Sequence, residues 1–280
     1  MQRLLFIVLF SIVNINVFAQ DIATIKALAD VQYDNQNYQL ALKEYQRVFF
    51  FDQDKKYDDI YIKIARIYKS DHNHNEALKY YNYAWKTEPN DSIKKEIVFE
   101  KVQCYLSDRN YLMGLNELFD LPESDNLYFK NKQNLYFAIC YFGLDDFNES
   151  EQYFLDITDQ SHDMMIVDAF DEFEAFRKKY NPERIEKMSK YLPGLGQFYL
   201  GDWKNGLNSI LLIGAILTYT GYTVATYGII DGLLVMSSWF NRYYSGGYNK
   251  AKLLAVKKIE RHKAGIYKQV LAIVDQQLAE

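Results

Sequence analysis

Apolar residues recur every three or four positions through most of residues 21–160, a pattern that predicts a series of amphipathic α-helices. The predicted helices are short and come in pairs joined by polar turns. One small residue stands at the corresponding position of every second helix, with spacings of 36, 37 and 36 residues. These residues are Ala41, Ala77, Gly114 and Ser150. A fixed period of this length is typical of arrays in which each helical pair packs against the next.

The clearest unit of this repeat occupies residues 61–89. It carries Tyr61, Ile64, Ala65, Tyr68, Ala77, Tyr81, Ala84 and Pro89. This pattern resembles the tetratricopeptide-repeat consensus, in which small residues fit where paired helices cross and proline ends the second helix. The resemblance implies an all-α solenoid of four helical hairpins over residues 20–160. Apolar residues at helical spacing in 164–179 predict a capping helix within residues 161–183.

The same resemblance implies that the first helices of the pairs line a concave groove that binds a partner. The groove positions carried onto this chain are Asp59, Ile62, Arg66, Lys69, Phe99, Gln103, Leu135, Ile139 and Phe142, with Glu96, Leu106 and Lys132 on the same face. Apolar residues beside Arg66 and Lys69 favour a protein or peptide ligand with a hydrophobic anchor and an acidic end. The alternative is that Phe99, Leu135 and Phe142 pack against the following helix.

A long apolar segment follows the motif Pro193-Gly194-Leu195-Gly196-Gln197-Phe198-Tyr199. Residues 207–226 carry no charge, and these 20 residues are long enough as a helix to cross a membrane. A second apolar run, residues 227–240, contains Asp231. The motif resembles the Pro-Gly-x-Gly-Gln-x-Tyr beginning of small bacterial membrane domains built from two hydrophobic helices. We therefore expect a hydrophobic hairpin within residues 184–248.

Aromatic residues near both ends of this hairpin predict a belt at one membrane interface. The candidate residues of the hairpin are Pro193, Gly194, Gly196, Gln197, Tyr199, Trp203, Asp231 and Trp239. Asp231 is costly at mid-bilayer, and its place shortly after the predicted turn favours a carboxylate that reaches the headgroups. Two alternatives remain open, a single membrane crossing and a buried hairpin of a soluble domain, the latter because residues 218–223 are rich in Thr and Tyr.

Residues 249–280 predict a basic amphipathic helix that lies on anionic lipid or packs on a partner. Residues 21–183 contain 19 Lys and Arg against 31 Asp and Glu, and residues 184–280 contain 12 against 6. The acidic first part argues against binding to nucleic acid, and the basic second part suits a membrane surface.

The first residues resemble an export signal. Arg3 precedes an apolar run that ends in Val17-Phe18-Ala19, which predicts a signal peptide over residues 1–19. An uncleaved anchor is the alternative. The sequence thus predicts an exported, periplasmic chain that is associated with a membrane through residues 205–244.

Candidate chemistry is sparse. Cys104 and Cys140 lie one repeat apart, which predicts two buried free thiols because equivalent positions on packed helices are too distant for a disulfide. His72 and His74 stand in a polar turn without a third ligand nearby, so we predict no metal site. Without a recognisable catalytic or nucleotide-binding motif, we predict no cofactor and no enzymatic activity.

Two functions are consistent with these patterns. The first is a non-enzymatic protein-binding scaffold of the bacterial cell envelope, held at a membrane by its hydrophobic hairpin. The second is a membrane-active component in which the hairpin handles lipid or solute and the repeats recruit partners.

Overall fold

A computed structural model describes residues 21–122 and 124–279, and the predicted signal peptide lies outside these residues. The described chain is helical and contains no β-strand in these ranges, so the predicted all-α class is confirmed. The chain forms two compact units, one that ends at Asp146 and one that begins at Phe147. The helix that begins at Phe147, which the repeat pattern assigns to the fourth hairpin, therefore belongs to the second unit.

The first unit is a series of helices that pack against their neighbours in the chain. α1 pairs with α2, α3 with α4 and α5 with α6, and α7 packs on α5 and α6. The helices are α1 (Ile22–Asp34), α2 (Tyr38–Phe51), α3 (Ile60–Ser70), α4 (His74–Thr87), α5 (Asp91–Ser107), α6 (Tyr111–Phe119) and α7 (Leu127–Gly143).

One type of turn follows α1, α3, α5 and α7. In each turn the second residue after the helix has a left-handed backbone conformation, and the next N–H donates to the carbonyl five residues earlier, which satisfies the helix end. The left-handed residues are Gln36, His72, Arg109 and Asp145, with φ of 62°, 57°, 56° and 64°. Their spacing equals that of the recurring small residues, so the period extends to the backbone of the turns.

The recurring small residues lie in the core. Each is the fourth residue of its helix, and each is buried. A side chain at Gly114 would place its Cβ 3.0 Å from Cys140 Sγ, so close helix packing limits the size of this residue. Cys104 and Cys140 are both buried free thiols.

The second unit contains the predicted hydrophobic hairpin. Its elements are α8 (Phe147–Leu155), α9 (Gln160–Lys179), α10 (Pro182–Tyr191), α11 (Leu195–Tyr199), α12 (Trp203–Tyr227), α13 (Ile229–Val235), a π-helical turn (Met236–Phe240) and α14 (Asn241–Ala279). The predicted cap corresponds to α9, with Phe170 and Phe173 in the core.

The sequence-based boundary at residue 248 differs from the structure. We expected Gly246 and Gly247 to separate the hairpin from a terminal helix, but α14 runs through both glycines for 39 residues. Gly247 faces Ser209 of α12, and its carbonyl accepts a hydrogen bond from Gln197. These contacts offset the weak helix propensity of glycine, which costs about 1 kcal/mol.

Candidate interaction sites

Glu100 of α5 is the centre of a polar cluster that joins three helices. Its carboxylate lies 2.8 Å from Arg66 Nη2 and 3.1 Å from Lys69 Nζ, both on α3. The Tyr81 hydroxyl of α4 donates to it at 2.6 Å. Burial acts to raise the pKa of Glu100, but the hydrogen bond from Tyr81 and the two positive charges outweigh it, so the pKa is lowered. Glu100 is thus an ionised link between α3, α4 and α5.

This cluster continues to α7. Lys69 donates to the Gln103 side-chain carbonyl, and the Gln103 amide donates to the Tyr136 hydroxyl. On the same pair of helices Lys132 Nζ lies 2.5 Å from Glu96 Oε2 and 5.1 Å from the Phe99 ring centre. Polar side chains therefore connect α3, α5 and α7 along one side, which we call the inner face.

A second polar cluster surrounds Asp30 of α1. Lys63 of α3 lies 2.6 Å from its carboxylate, Lys26 lies 2.9 Å away, and the Tyr45 hydroxyl donates at 2.6 Å. Burial acts to raise the pKa of Asp30, but the hydrogen bonds from Lys63, Tyr45 and Lys26 lower it to about 2. Asp59 lies 2.8 Å from Lys26, which extends the cluster towards α3.

The predicted groove residues are only partly available to a ligand. Phe99 and Phe142 are buried, with 1% and 4% of their surface exposed, so they pack inward and form no open apolar pocket beside Arg66 and Lys69. The helices α4, α6 and α7 all pack on α5, which explains the burial of Phe99. Arg66 remains exposed, and the apolar groove positions that stay partly open are Ile62, Leu106, Leu135 and Ile139.

The sequence pattern did not reveal Glu100 or a cleft at the ends of α4, α5 and α6. The cleft has a volume of about 740 Å³, and its lining includes four lysines and three acidic residues. The lining residues are Asn82, Trp85, Lys86, Asp91, Lys94, Lys95, Val98, Lys101, Glu117, Asp120, Leu121 and Pro122. Lys101 pairs with Glu117 at 2.5 Å, and Lys94 lies 5.6 Å from the Trp85 ring centre. Most of the lining residues lie outside the recurring small and aromatic positions, so the repeat period carries little information about the cleft.

The two neighbouring histidines, His72 and His74, lie in different environments. His72 lies in an exposed turn as predicted, whereas His74 begins α4, is buried, and has Nδ1 2.6 Å from Asp108 Oδ1. Within residues 21–122 and 124–279, no cluster of three or more His, Cys, Asp and Glu side chains is arranged to hold a metal ion.

Gln197 of the glycine-rich motif ties four helices of the second unit together. Its buried amide donates to the Gly247 carbonyl at 2.8 Å and to Ser209 Oγ at 3.4 Å. Its side-chain carbonyl accepts from Ser189 Oγ at 3.1 Å, and that hydroxyl accepts from the Gly196 N–H. Gln197 therefore connects α10, α11, α12 and α14 through buried hydrogen bonds.

The motif glycines allow close packing around this amide. Gly194 has φ of 90°, and a Cβ there would clash with the Gly206 carbonyl. At Gly196 a Cβ would lie 2.7 Å from the Ile185 carbonyl oxygen. Pro193 is half-buried, and Tyr199 donates to the Lys179 carbonyl at 3.2 Å. These contacts give the motif a structural role in holding the base of the hairpin.

The hydrophobic hairpin consists of α12 and an antiparallel return through α13 into α14. A turn at Gly228, with φ of 114°, joins the two sides. Gly232 lies against Val224 near this turn, and Lys250 Nζ lies 2.5 Å from Asn205 Oδ1 at the other end. The 25-residue helix α12 is apolar and long enough to cross a membrane.

The hairpin aromatics do not share one level, in contrast to the predicted belt. Trp203 begins α12, but the register that pairs Gly232 with Val224 and Gly247 with Ser209 places Trp239 at the level of Leu217. The reason is that Trp239 follows the Gly228 turn closely, whereas Trp203 is a full helix away from it. Asp231 is exposed just beyond the turn.

Threonine hydroxyls of α12 bond to their own helix. Thr218 donates to the Gly214 carbonyl at 2.8 Å, and Thr223 and Thr226 donate to carbonyls four residues earlier at 2.9 Å each. Thr218 and Thr223, two of the polar residues that favoured a soluble hairpin, are therefore satisfied within α12, whereas Thr220 Oγ1 is buried without a hydrogen-bond partner among the described residues.

Comparisons with protein-family models, curated proteins and solved structures give no match. Functional conclusions for this chain therefore rest on its own residues.

Proposed function

We propose that this chain is a non-enzymatic scaffold of the bacterial cell envelope, with a tetratricopeptide-type repeat that binds a partner and a hydrophobic hairpin that attaches it to a membrane. The observation that carries the proposal is the exposure of apolar side chains along α12 and α13. Ile230 is 76% exposed, and Leu211, Tyr222, Ile229 and Leu233 are also exposed. A continuous apolar surface of this kind favours contact with lipid or another protein.

The predicted signal peptide supports export, and with the hairpin it supports a periplasmic chain held at a membrane. The antiparallel return of α13 and α14 favours a hairpin with both ends on the same side of the membrane over a single crossing.

The inner face of α3, α5 and α7 is the proposed binding surface. Its polar clusters fix the helices relative to one another, which gives a partner a preorganised surface. Arg66 is exposed beside the half-buried Ile62 while its guanidinium pairs with Glu100, and Leu135 and Ile139 offer apolar contacts on α7. These side chains suit a peptide segment with an acidic group and apolar side chains.

Crosslinking in intact cells followed by mass spectrometry tests the scaffold. The combined variant Arg66→Ala and Leu135→Ala should lose the crosslinked partner but remain in the membrane fraction. The control variant Lys43→Ala, on the exposed side of α2, should keep both. Retention of the same partner by the combined variant would contradict binding at the inner face.

The second candidate function is a membrane-active component, and Asp231 is the observation that favours it. This residue is the one charge between Lys204 and Arg242, and an isolated carboxylate in an apolar hairpin is a candidate functional group. If Asp231→Asn abolished release of a dye from vesicles by the natural chain while the partner stayed bound, this function would replace the first.

A further inference from the structure

Polarity divides the hairpin into two parts along its length. From Ile210 to Phe240 the sequence has no Asn, Gln, His, Lys or Arg, and Asp231 is its one charged residue. The part nearer the base carries Lys204, Asn205, Asn208, Asn241, Arg242, Asn249 and Lys250. The boundary falls at Arg242, which the hairpin register places at the level of Gly214.

Aromatic side chains surround the cationic Arg242 at this boundary. The Tyr244 hydroxyl donates to the Lys190 carbonyl at 2.6 Å, which brings the end of α10 to the level of Arg242. The Trp239 ring stacks on Tyr243 with centres 6.0 Å apart, and Tyr191 is 89% exposed. We name as the girdle the residues Tyr191, Trp239, Arg242 and Tyr243. Lys190 is left out because its ammonium lies 2.6 Å from the Glu186 carboxylate and 4.7 Å from the Tyr248 ring centre. Aromatic rings beside cations are typical of the lipid headgroup region.

Two backbone N–H groups on either side of the hairpin turn are satisfied within the hairpin. The Gly228 N–H donates to the Val224 carbonyl at 3.2 Å, and the Gly232 N–H donates to the Gly228 carbonyl at 3.3 Å. The hydroxyls of Thr218, Thr223 and Thr226 bond within α12, and the Thr220 hydroxyl is the exception. Internal hydrogen bonding, the main requirement for entry into hydrocarbon, is therefore met by most threonines beyond the girdle.

The part beyond the girdle is too short to cross a bilayer. From Gly214 to the turn at Gly228, α12 rises about 21 Å at ~1.5 Å per residue, whereas the hydrocarbon layer is about 30 Å thick. A hairpin that enters as far as the girdle therefore ends inside the membrane. Asp231, close to the turn, weakens this insertion because a carboxylate is costly in hydrocarbon.

Resting on the membrane attachment proposed above, we infer that the hairpin enters an anionic bilayer from one side, only as far as the girdle. Arg242 then lies among anionic headgroups, and the cost of Asp231 keeps the attachment reversible. This membrane contact is shallower than that of a two-helix crossing, and it selects for anionic lipid.

Tryptophan fluorescence with brominated lipids tests the depth. The chain has three tryptophans, Trp85, Trp203 and Trp239. Three variants that each keep one tryptophan, with the other two replaced by Phe, report the membrane depth of three positions. We expect Trp239 to be quenched by bromines near the headgroups, and Trp203 and Trp85 to be unquenched. The tryptophan introduced by Tyr227→Trp should be quenched by bromines deep in the acyl chains.

Two outcomes of the depth experiment differ in meaning. Quenching of Trp239 by deep bromines together with quenching of Trp203 by shallow ones would overturn the partial insertion and show a hairpin that enters along its whole length. If no tryptophan is quenched and the natural chain does not sediment with vesicles, the proposed membrane attachment itself fails.

Vesicle sedimentation tests the headgroup contact. With vesicles of phosphatidylcholine and phosphatidylglycerol, Arg242→Gln should bind roughly fivefold more weakly, the effect of about one cation at an anionic surface. The matched variant Lys257→Gln, exposed and about 22 Å further along α14, should bind like the natural chain. An equal loss of vesicle affinity in both variants, or affinity that does not depend on phosphatidylglycerol, would show that the girdle does not contact anionic headgroups. Membrane attachment itself would still stand.

The Asp231→Asn variant tests reversibility. We expect it to bind several-fold more tightly than the natural chain to vesicles with and without phosphatidylglycerol. Weaker or unchanged binding would show that Asp231 does not lie in hydrocarbon. Each variant should keep the far-ultraviolet circular dichroism spectrum of the natural chain, which separates these effects from loss of the fold.

Discussion

The first unit and the apolar part of the hairpin, residues 210–240, satisfy their polar side chains in opposite ways. In the first unit, polar groups bond between helices, as Tyr81 does to Glu100 and Lys132 to Glu96. In the hairpin, Thr218 and Thr226 bond to carbonyls of their own helix. The difference indicates the surroundings for which each region is built. Bonds between helices fix which helices are neighbours, whereas bonds within one helix leave its outer surface free to face an apolar solvent.

The largest difference in stability between the first unit and the hairpin is expected when apolar side chains are truncated. Ile64→Ala removes a side chain with no exposed surface, so the free energy of unfolding should fall by about 3 kcal/mol. Leu217→Ala, in the exposed hairpin, should change it by less than about 0.5 kcal/mol. Urea unfolding followed by circular dichroism measures both. Similar losses would mean that the hairpin has a packed core like that of the first unit.

The next effect concerns glycines of the second unit. Gly196→Ala forces a methyl group against Ser189 and Ile185, so it should destabilise the base of the hairpin by about 2 kcal/mol. Gly214→Ala meets nothing within 4 Å and should stabilise α12 by up to about 1 kcal/mol. Thermal unfolding in mild detergent distinguishes them. A destabilising Gly214→Ala would show that a neighbour covers this part of the hairpin.

A smaller effect depends on pH and on the Asp30 cluster of the first unit. The folded pKa of Asp30 is about 2, below its unfolded value of about 3.9, so its ionised form stabilises the fold above that unfolded value. Asp30→Asn should cost about 1 kcal/mol at neutral pH, and this difference should vanish as pH falls towards 2. Urea unfolding at several pH values measures it. A cost for Asp30→Asn that stays constant with pH would exclude an ionic origin.

The smallest effect comes from the turns. Arg109 is left-handed with φ of 56°, whereas the hairpin turn already has glycine at Gly228. Arg109→Gly removes the steric cost of Cβ and should raise the free energy of unfolding by about 0.5 kcal/mol. The control Lys43→Gly, inside α2, should lower it by about 1 kcal/mol. A loss at Arg109 as large as that at Lys43 would show that the arginine side chain stabilises the turn.

The helices and their period could be predicted because small residues are required where helices cross. Ala41, Ala77 and Gly114 are buried at equivalent positions, and the apolar period alone located them. The left-handed turns were not predicted, since none of the four contains the glycine that normally signals such a backbone.

The candidate sites were predicted less completely, because they depend on which helices pack together. The sequence left open whether Phe99 lines the groove or packs against the following helix, and the structure shows it packed inward. α7 covers the side that a single repeat would leave free, and the Tyr136 ring centre lies 5.5 Å from that of Phe99. Glu100 was missed because its partners come from α3 and α4. The position of Trp239 along the hairpin depends on which residues of α12 face those of α13 and α14. Apolar composition alone does not determine that register.

The two buried thiols give the first unit built-in reporters of local opening. Burial raises the pKa of Cys104 to about 11 and that of Cys140 to about 12, so little reactive thiolate is present at neutral pH. Alkylation must then wait for α5 or α7 to separate from its neighbours. The rate at which each thiol is modified in living cells would measure how often α5 and α7 separate from their neighbours. A fall in either rate would report that a bound partner holds these helices together.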